Sequence, residues 1–175
     1  ERTADVGVLL PDVAISFGVS GPNLRGSGVK WDIRKDEPYS IYERFDFDVP
    51  IGQGLVGTTG DCWDRFYVRV LEMIESTKIL RQALKDIPTN GDVHQAIPKK
   101  IRPPKGSIYR RTKSPRGDLG YYIISDGSPQ PYRLKMRSPA FTALSVLNEI
   151  SRGWMLSDVI AVLGSLDIVL GEIDR

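Results

Sequence analysis

The longest periodic signal in the chain lies between Asp61 and Ile87. Trp63, Phe66, Val70, Met73, Ile74, Thr77, Leu80, Leu84 and Ile87 recur at the three- and four-residue steps of one helix face. Asp61 is placed to cap the first turn, and Pro88 followed by Asn90-Gly91 stops the last. Glu75 and Lys78, three apart on the outer face, can support each other. Such a helix spans roughly 40 Å at about 1.5 Å per residue, a length that predicts membership of a large helical bundle. Shorter helices are predicted over Phe141–Ile150 and Ser157–Leu166. Phe45–Val49 alternates strictly between apolar and acidic and predicts a half-buried strand. Three further strands are predicted at Ser107–Thr112, Leu119–Ile124 and Tyr132–Arg137, the last two joined by the hairpin loop Ser125-Asp126-Gly127-Ser128. Residues 88–106 are proline-rich and basic and read as an extended connector. One dominant helix, smaller helices and one antiparallel meander make an α+β, mainly helical class.

Composition narrows the chemistry. The chain has 175 residues, enough for one hydrophobic core and too few for a multidomain machine. With 24 basic and 22 acidic side chains its net charge is only +2, so no global electrostatic role follows. A single cysteine, Cys62, excludes an intramolecular disulfide and a cysteine-rich metal centre, and a single histidine, His94, excludes a multi-histidine one. No apolar run approaches the roughly 20 residues that span a bilayer.

Several local patterns carry candidate chemistry. Gly52-x-Gly54-x-x-Gly57 has the spacing of a dinucleotide fingerprint between a strand and a helix. Its strand, however, carries Asp46 and Asp48 where a buried parallel strand needs apolar residues, so a plain loop is the better reading. Arg116-Gly117-Asp118 matches an integrin-type tripeptide, which a chain of this size can carry by chance. Lys99, Lys100, Arg102, Lys105, Arg110, Arg111, Lys113 and Arg116 form a basic run with no acid inside it. Nucleic acid, anionic lipid and an acidic partner subunit all fit such a run, as does a solvated connector over residues 99–105. Cys62 at the start of the long helix and His94 in the connector are a weak nucleophilic pair, and a helix-face residue and a loop residue describe them better. The tail crowds Asp167, Glu172, Asp174 and Arg175 among Ile168, Val169, Leu170 and Ile173, apolar residues that need cover.

Longer motifs point to a family. Gly21-Pro22-x-Leu24-Arg25-Gly26-Ser27-Gly28-Val29-Lys30-Trp31-Asp32-Ile33-Arg34-Lys35, Pro38-Tyr39-x-x-Tyr42, Gly60-Asp61-x-x-Asp64-Arg65, Ser114 to Tyr122 and Ser165 to Arg175 resemble, in order, the D-type, quinone-site subunit of proton-pumping NADH:quinone oxidoreductase, complex I. The resemblance covers essentially the whole chain. It implies the C-terminal part of a nickel–iron hydrogenase large-subunit-like fold over residues 1–175, with the N-terminal half absent. Pro115-Arg116-Gly117 resembles the hydrogenase segment that places an arginine over the metal. Asp167-Ile168-Val169-x-x-Glu172 stands where hydrogenases carry thiolate ligands, and a valine cannot ligate nickel or iron.

The resemblance further implies that the old metal cavity has become a quinone pocket lined by Arg116, Gly117, Asp167, Val169 and Arg175, with Glu172 and Asp118 in support. No catalytic residue and no metal ligand is expected in this part, which alone would be inactive. Electrons would come from NADH through a 4Fe-4S cluster held by a neighbouring subunit, with quinone as substrate and proton translocation coupled to its reduction. Expected partners are the iron–sulfur subunit, a C-type subunit and the membrane arm, at the cytoplasmic side of a bacterial inner membrane, without nucleic acid. The alternatives are a docking platform, a related ferredoxin- or deazaflavin-driven complex, and a nucleic-acid-binding module. If this part folds alone, the Trp63–Ile87 helix or the tail is expected to expose an apolar face.

Overall fold

Asp61 organises the molecule from its centre. Its carboxylate accepts the Asp64 amide at 2.8 Å and so caps the long helix, while its other oxygen accepts the Asp5 amide at 2.8 Å and ties the N-terminal segment to the same point. The helix then runs from Cys62 to Asp86 and ends at an extended Ile87, the conformation that Pro88 imposes on its predecessor. The computed structural model describes residues 2–92 and 94–174. Three short helices precede the long one: α1 (Pro11–Ser16), α2 (Pro22–Gly26) and α3 (Ile33–Asp36), with a 3-10 turn at Tyr42–Arg44. The long helix is α4 (Cys62–Asp86). It is followed by β1 (Gly106–Ser114), β2 (Gly117–Ser125) and β3 (Arg133–Arg137), then α5 (Pro139–Ser145), α6 (Leu147–Ser151), α7 (Leu156–Leu166) and α8 (Leu170–Ile173).

The class is α+β. The three strands form one antiparallel sheet in the order β1-β2-β3. β1 pairs with β2 from Gly106↔Ser125 to Ser114↔Gly117, and β2 pairs with β3 from Gly120↔Arg137 to Ile124↔Arg133. A two-residue turn, Pro115-Arg116, joins β1 to β2. The core gathers Leu9 from the segment before α1 with Ala14, Leu24, Val146, Val162 and Leu166 from α1, α2, the α5–α6 junction and α7. α2 crosses α4 closely because Gly26 has no side chain: a Cβ there would lie 2.8 Å from the Arg65 Cγ. No helix of the described residues is long and apolar enough to cross a membrane.

Two expectations change, and one is met. Phe45–Val49 is extended and alternates as predicted, with Phe45 and Phe47 buried and Asp46 and Asp48 exposed, but it pairs with no strand among the described residues. Its backbone is met by side chains of α4. Gln82 accepts the Asp46 amide at 2.8 Å and donates to the Asp46 carbonyl at 2.7 Å, and Glu75 accepts the Asp48 amide at 2.8 Å. The single helix expected over Phe141–Ile150 is two, α5 and α6. At Val146 the amide turns to the Ala143 and Leu144 carbonyls, a tightened last turn that ends α5 with no glycine or proline to announce it. The apolar row of α4 is not its buried face. Cys62, Asp64, Arg65 and Val68 are buried, whereas Phe66, Met73, Ile74, Leu80, Leu84 and Ile87 are exposed. The expected exposed face is therefore present on α4, and in the tail Leu170 is exposed as well. The Glu75–Lys78 pair forms, at 2.6 Å.

Candidate functional site

The β1–β2 turn is pressed against the loop before α2. Gly21 (φ 69°) passes so close that a Cβ would meet the Arg116 carbonyl and the Gly117 Cα at 2.5 Å. Gly117 (φ 146°) in turn abuts Ser20 and Pro139, and Ser20 accepts the Asp118 amide at 2.9 Å. This packing fixes the base of Arg116. Its guanidinium reaches the end of α7, donating from Nε to the Asp167 carbonyl at 3.2 Å and pairing with the Asp167 carboxylate at 3.3 Å. Asp167 is in the left-handed conformation (φ 55°, ψ 53°) at the C-cap of α7, which turns both its carbonyl and its carboxylate toward Arg116. On the other side Arg69 of α4 lies 3.8 Å from the Asp167 carboxylate. Arg69 also donates to the Arg65 carbonyl at 2.6 Å and to Asn23 at 2.9 Å, and Asn23 donates to the Leu166 carbonyl at 3.0 Å. Two arginines from different elements thus converge on one carboxylate.

Beside this clamp opens a hollow of about 400 Å³ whose charged lining comes from Arg34, Arg69, Glu72, Lys113 and Asp167. A chain of buried ion pairs backs it. Arg25 bonds Glu72 at 2.6 Å and lies 3.5 Å from Asp32, which also holds Arg34 at 2.7 Å. Burial alone would raise Asp32, but the hydrogen bond from Arg34 and the charges of Arg25 and Arg34 hold it below the ordinary carboxylate range. Arg69 is pulled down to about 10, first by burial and then by neighbouring Arg65, against the attraction of Asp167. Lys113 is pulled down to about 8 by burial and by the charge of Arg25, with Glu72 and Asp32 opposing and Arg34 adding to the fall. Cations around a hollow can stabilise negative charge on a ligand, and an amine lowered to about 8 can pass a proton to it.

The expected site residues separate. Asp167 lines the hollow, Arg116 is clamped to it from behind, and Gly117 is buried in the turn. Asp118 is buried, 3.5 Å from Arg111, and its carbonyl accepts from Arg137 at 2.6 Å. Val169 is half-buried at the N-cap of α8. Glu172 turns away to α5, accepting from the Ser138 hydroxyl at 3.1 Å and the Ala140 amide at 3.2 Å. Arg175 lies outside the described residues. The structure adds Arg69, Asn23 and Glu72, which sequence reasoning does not single out, and takes Lys113 out of the basic run to the wall of the hollow. The one signal for them is Arg65 and Arg69, two arginines one helical turn apart at the polar start of an otherwise apolar row.

The remaining motifs resolve as structure. In the fingerprint-like loop, Gly54 donates its amide at 2.9 Å to the buried Asp64, so the loop faces a carboxylate where a phosphate would need donors. Cys62 is buried and accepts from Arg65 at 3.2 Å, while His94 is exposed in the connector. Arg65 further reaches Ser165, Gly60 and Gly7, and burial pulls it below the usual arginine range. Among the described residues no group of three His, Cys, Asp or Glu is arranged to hold a metal ion.

The family model described as respiratory-chain NADH dehydrogenase, 49 kDa subunit, matches residues 1–100 and 92–175. The D-type subunit of the NADH-quinone oxidoreductase of Chlorobaculum tepidum is 52% identical over 100% of this chain and 44% of its own length. A D-type subunit of the same oxidoreductase from Anaeromyxobacter sp. strain K is 50% identical over 100% of the chain and 46% of its own length. That of Dehalococcoides mccartyi strain BAV1 is 48% identical over 99% and 46%. The chain thus spans less than half the length of these curated relatives. With the motifs in order from Gly21 to Asp174 and a family model matched along its whole length, the chain belongs to the 49 kDa subunit family of the respiratory-chain NADH dehydrogenase, complex I.

Proposed function

We propose that the chain is the C-terminal part of a hydrogenase large-subunit-like domain and forms one wall of the quinone-reduction cavity of complex I. The observation that carries this is the convergence of Arg116 and Arg69 on Asp167 at the rim of a charged hollow. In this reading Asp167 meets the quinone directly, Arg116 and Val169 border it, Gly117 sets the turn that carries Arg116, and Asp118 and Glu172 brace the surrounding segments. The arginines stabilise charge that develops on the reduced ring, and Val169 offers an apolar contact to it. Lys113 holds a proton that the hollow can deliver. A 4Fe-4S cluster on the neighbouring iron–sulfur subunit supplies electrons that originate from NADH. One cysteine in this chain is too few to hold that cluster. The C-type partner and the membrane arm complete the surroundings, at the cytoplasmic face of a bacterial inner membrane.

Arg116→Met and Val169→Phe in the intact complex test the reading. Each is expected to raise the quinone KM by about tenfold, the effect of roughly 1.4 kcal/mol of lost binding, and to shift sensitivity to quinone-site inhibitors. Unchanged values in both variants would sink it. The exposed apolar row of α4 favours a second reading, a docking platform with the chemistry elsewhere, and those same unchanged values would leave it standing.

A further inference from the structure

We propose that the outer edge of β1 is a docking edge for an extended, acidic segment of a partner polypeptide, which adds a fourth strand to the sheet. β1 is an edge strand nine residues long and carries no proline. A two-residue turn makes Ser114↔Gly117 the closing pair, so even-numbered residues of β1 bond to β2 and odd-numbered ones point away. Lys113 agrees with this parity: its amide donates outward to the Tyr39 hydroxyl at 2.9 Å. Ser107, Tyr109 and Arg111 therefore present their amides and carbonyls outward, where they meet no partner among the described residues. Lys113 and Tyr39 close one end of this edge, and the open part runs about 13 Å, room for a partner strand of about five residues.

The edge is also grooved. A cavity of about 630 Å³ runs between it and the Glu37–Tyr39 segment, with Ile33 as floor and Arg110 and Arg111 on the strand side. Glu37 is the single acid in that lining and is already paired with Arg111. Lys99, Lys100, Arg102 and Lys105 lead into the strand exposed, and no acid occurs between Lys99 and Arg116. An acidic strand is thus complementary in charge and a basic one is not. The alternation of donors and acceptors along the edge selects a peptide over a nucleic acid. A phosphodiester backbone brings only acceptors and would leave the three outward carbonyls unpaired, whereas a peptide backbone meets both.

The experiment uses the assembled complex containing the full-length chain, with p-benzoylphenylalanine in place of Tyr109. Irradiation is expected to capture a peptide of another subunit with acidic residues at alternate positions. Arg110→Glu is expected to abolish that capture, and the amides of Ser107 and Tyr109 are expected to be protected from hydrogen exchange. If the Arg110→Glu complex does not assemble, Arg110→Gln should still lower the capture. Capture of a distant part of the same polypeptide, capture of nucleic acid, capture indifferent to both Arg110 variants, or no capture with rapidly exchanging amides would each overturn the proposal. None of these outcomes depends on where quinone binds.

Discussion

The two ends of α4 invert the usual relation between polarity and burial. At its start the buried residues are Cys62, Asp64, Arg65 and Val68, and Arg65 is wholly enclosed with every guanidinium nitrogen bonded. Toward its end Leu80, Leu84 and Ile87 are 60%, 70% and 61% exposed. Helical periodicity reports that a row of apolar groups shares one face. It does not report what covers that face. The polar end is held by the Gly7 and Gly60 carbonyls and the Ser165 hydroxyl, which converge only when the two ends of the chain fold onto α4. The apolar end stands uncovered in a chain that spans less than half the length of its relatives.

The comparison breaks most violently at Arg65. Arg65→Met would leave the carbonyls of Gly7 and Gly60 and the Ser165 hydroxyl without their donor in a buried place. A loss of about 4 kcal/mol, read from denaturant unfolding, is expected. Next is Gly52→Ala. Its Cβ would collide with the Gly26 carbonyl and stand 2.7 Å from the Asp64 carboxylate, so the loop must move off the start of α4, at a cost of about 2 kcal/mol in the same measurement.

Lys113 gives a smaller, pH-dependent effect. Its folded pKa, about 8, lies below the ordinary 10.5, so the unfolded chain binds more protons between those values. Stability from this residue therefore rises as pH climbs from 8 to 10.5, and its burial costs most below 8. Lys113→Met should flatten that slope in unfolding curves taken across the window. The smallest effect belongs to the exposed end. Leu84→Gln should change the stability of the chain by less than about 0.5 kcal/mol while lowering recovery of assembled complex. A large stability loss there would mean that the row is already covered, and the contrast would collapse.

What the sequence reveals follows the same division. The cap at Asp61, the stop before Pro88 and the three strands are local signals, and they appear within a residue or two of their expected bounds. The break at Val146 carries no local signal. Phe45–Val49 is legible as alternation but not as to partner, because Gln82 and Glu75 lie far along the chain and no rule of pattern links a helix side chain to a strand-like backbone. In the site, resemblance points to both Arg116 and Asp167, and the structure brings them to 3.3 Å. Arg69 and Asn23 stay hidden in the sequence, and Lys113 shows there only as one charge of a basic run, because their roles arise only when α2, α4 and the β1–β2 turn meet.

Gln82 carries a chemical liability. Its carboxamide both donates to and accepts from Asp46, the pattern a neighbouring strand would supply with a whole peptide unit. Deamidation to glutamate would keep the acceptor, remove the donor to the Asp46 carbonyl, and add a negative charge beside Asp46 and Asp48. Such a change would weaken the attachment of Phe45–Val49 at Asp46 and leave the Glu75 acceptor for the Asp48 amide in place.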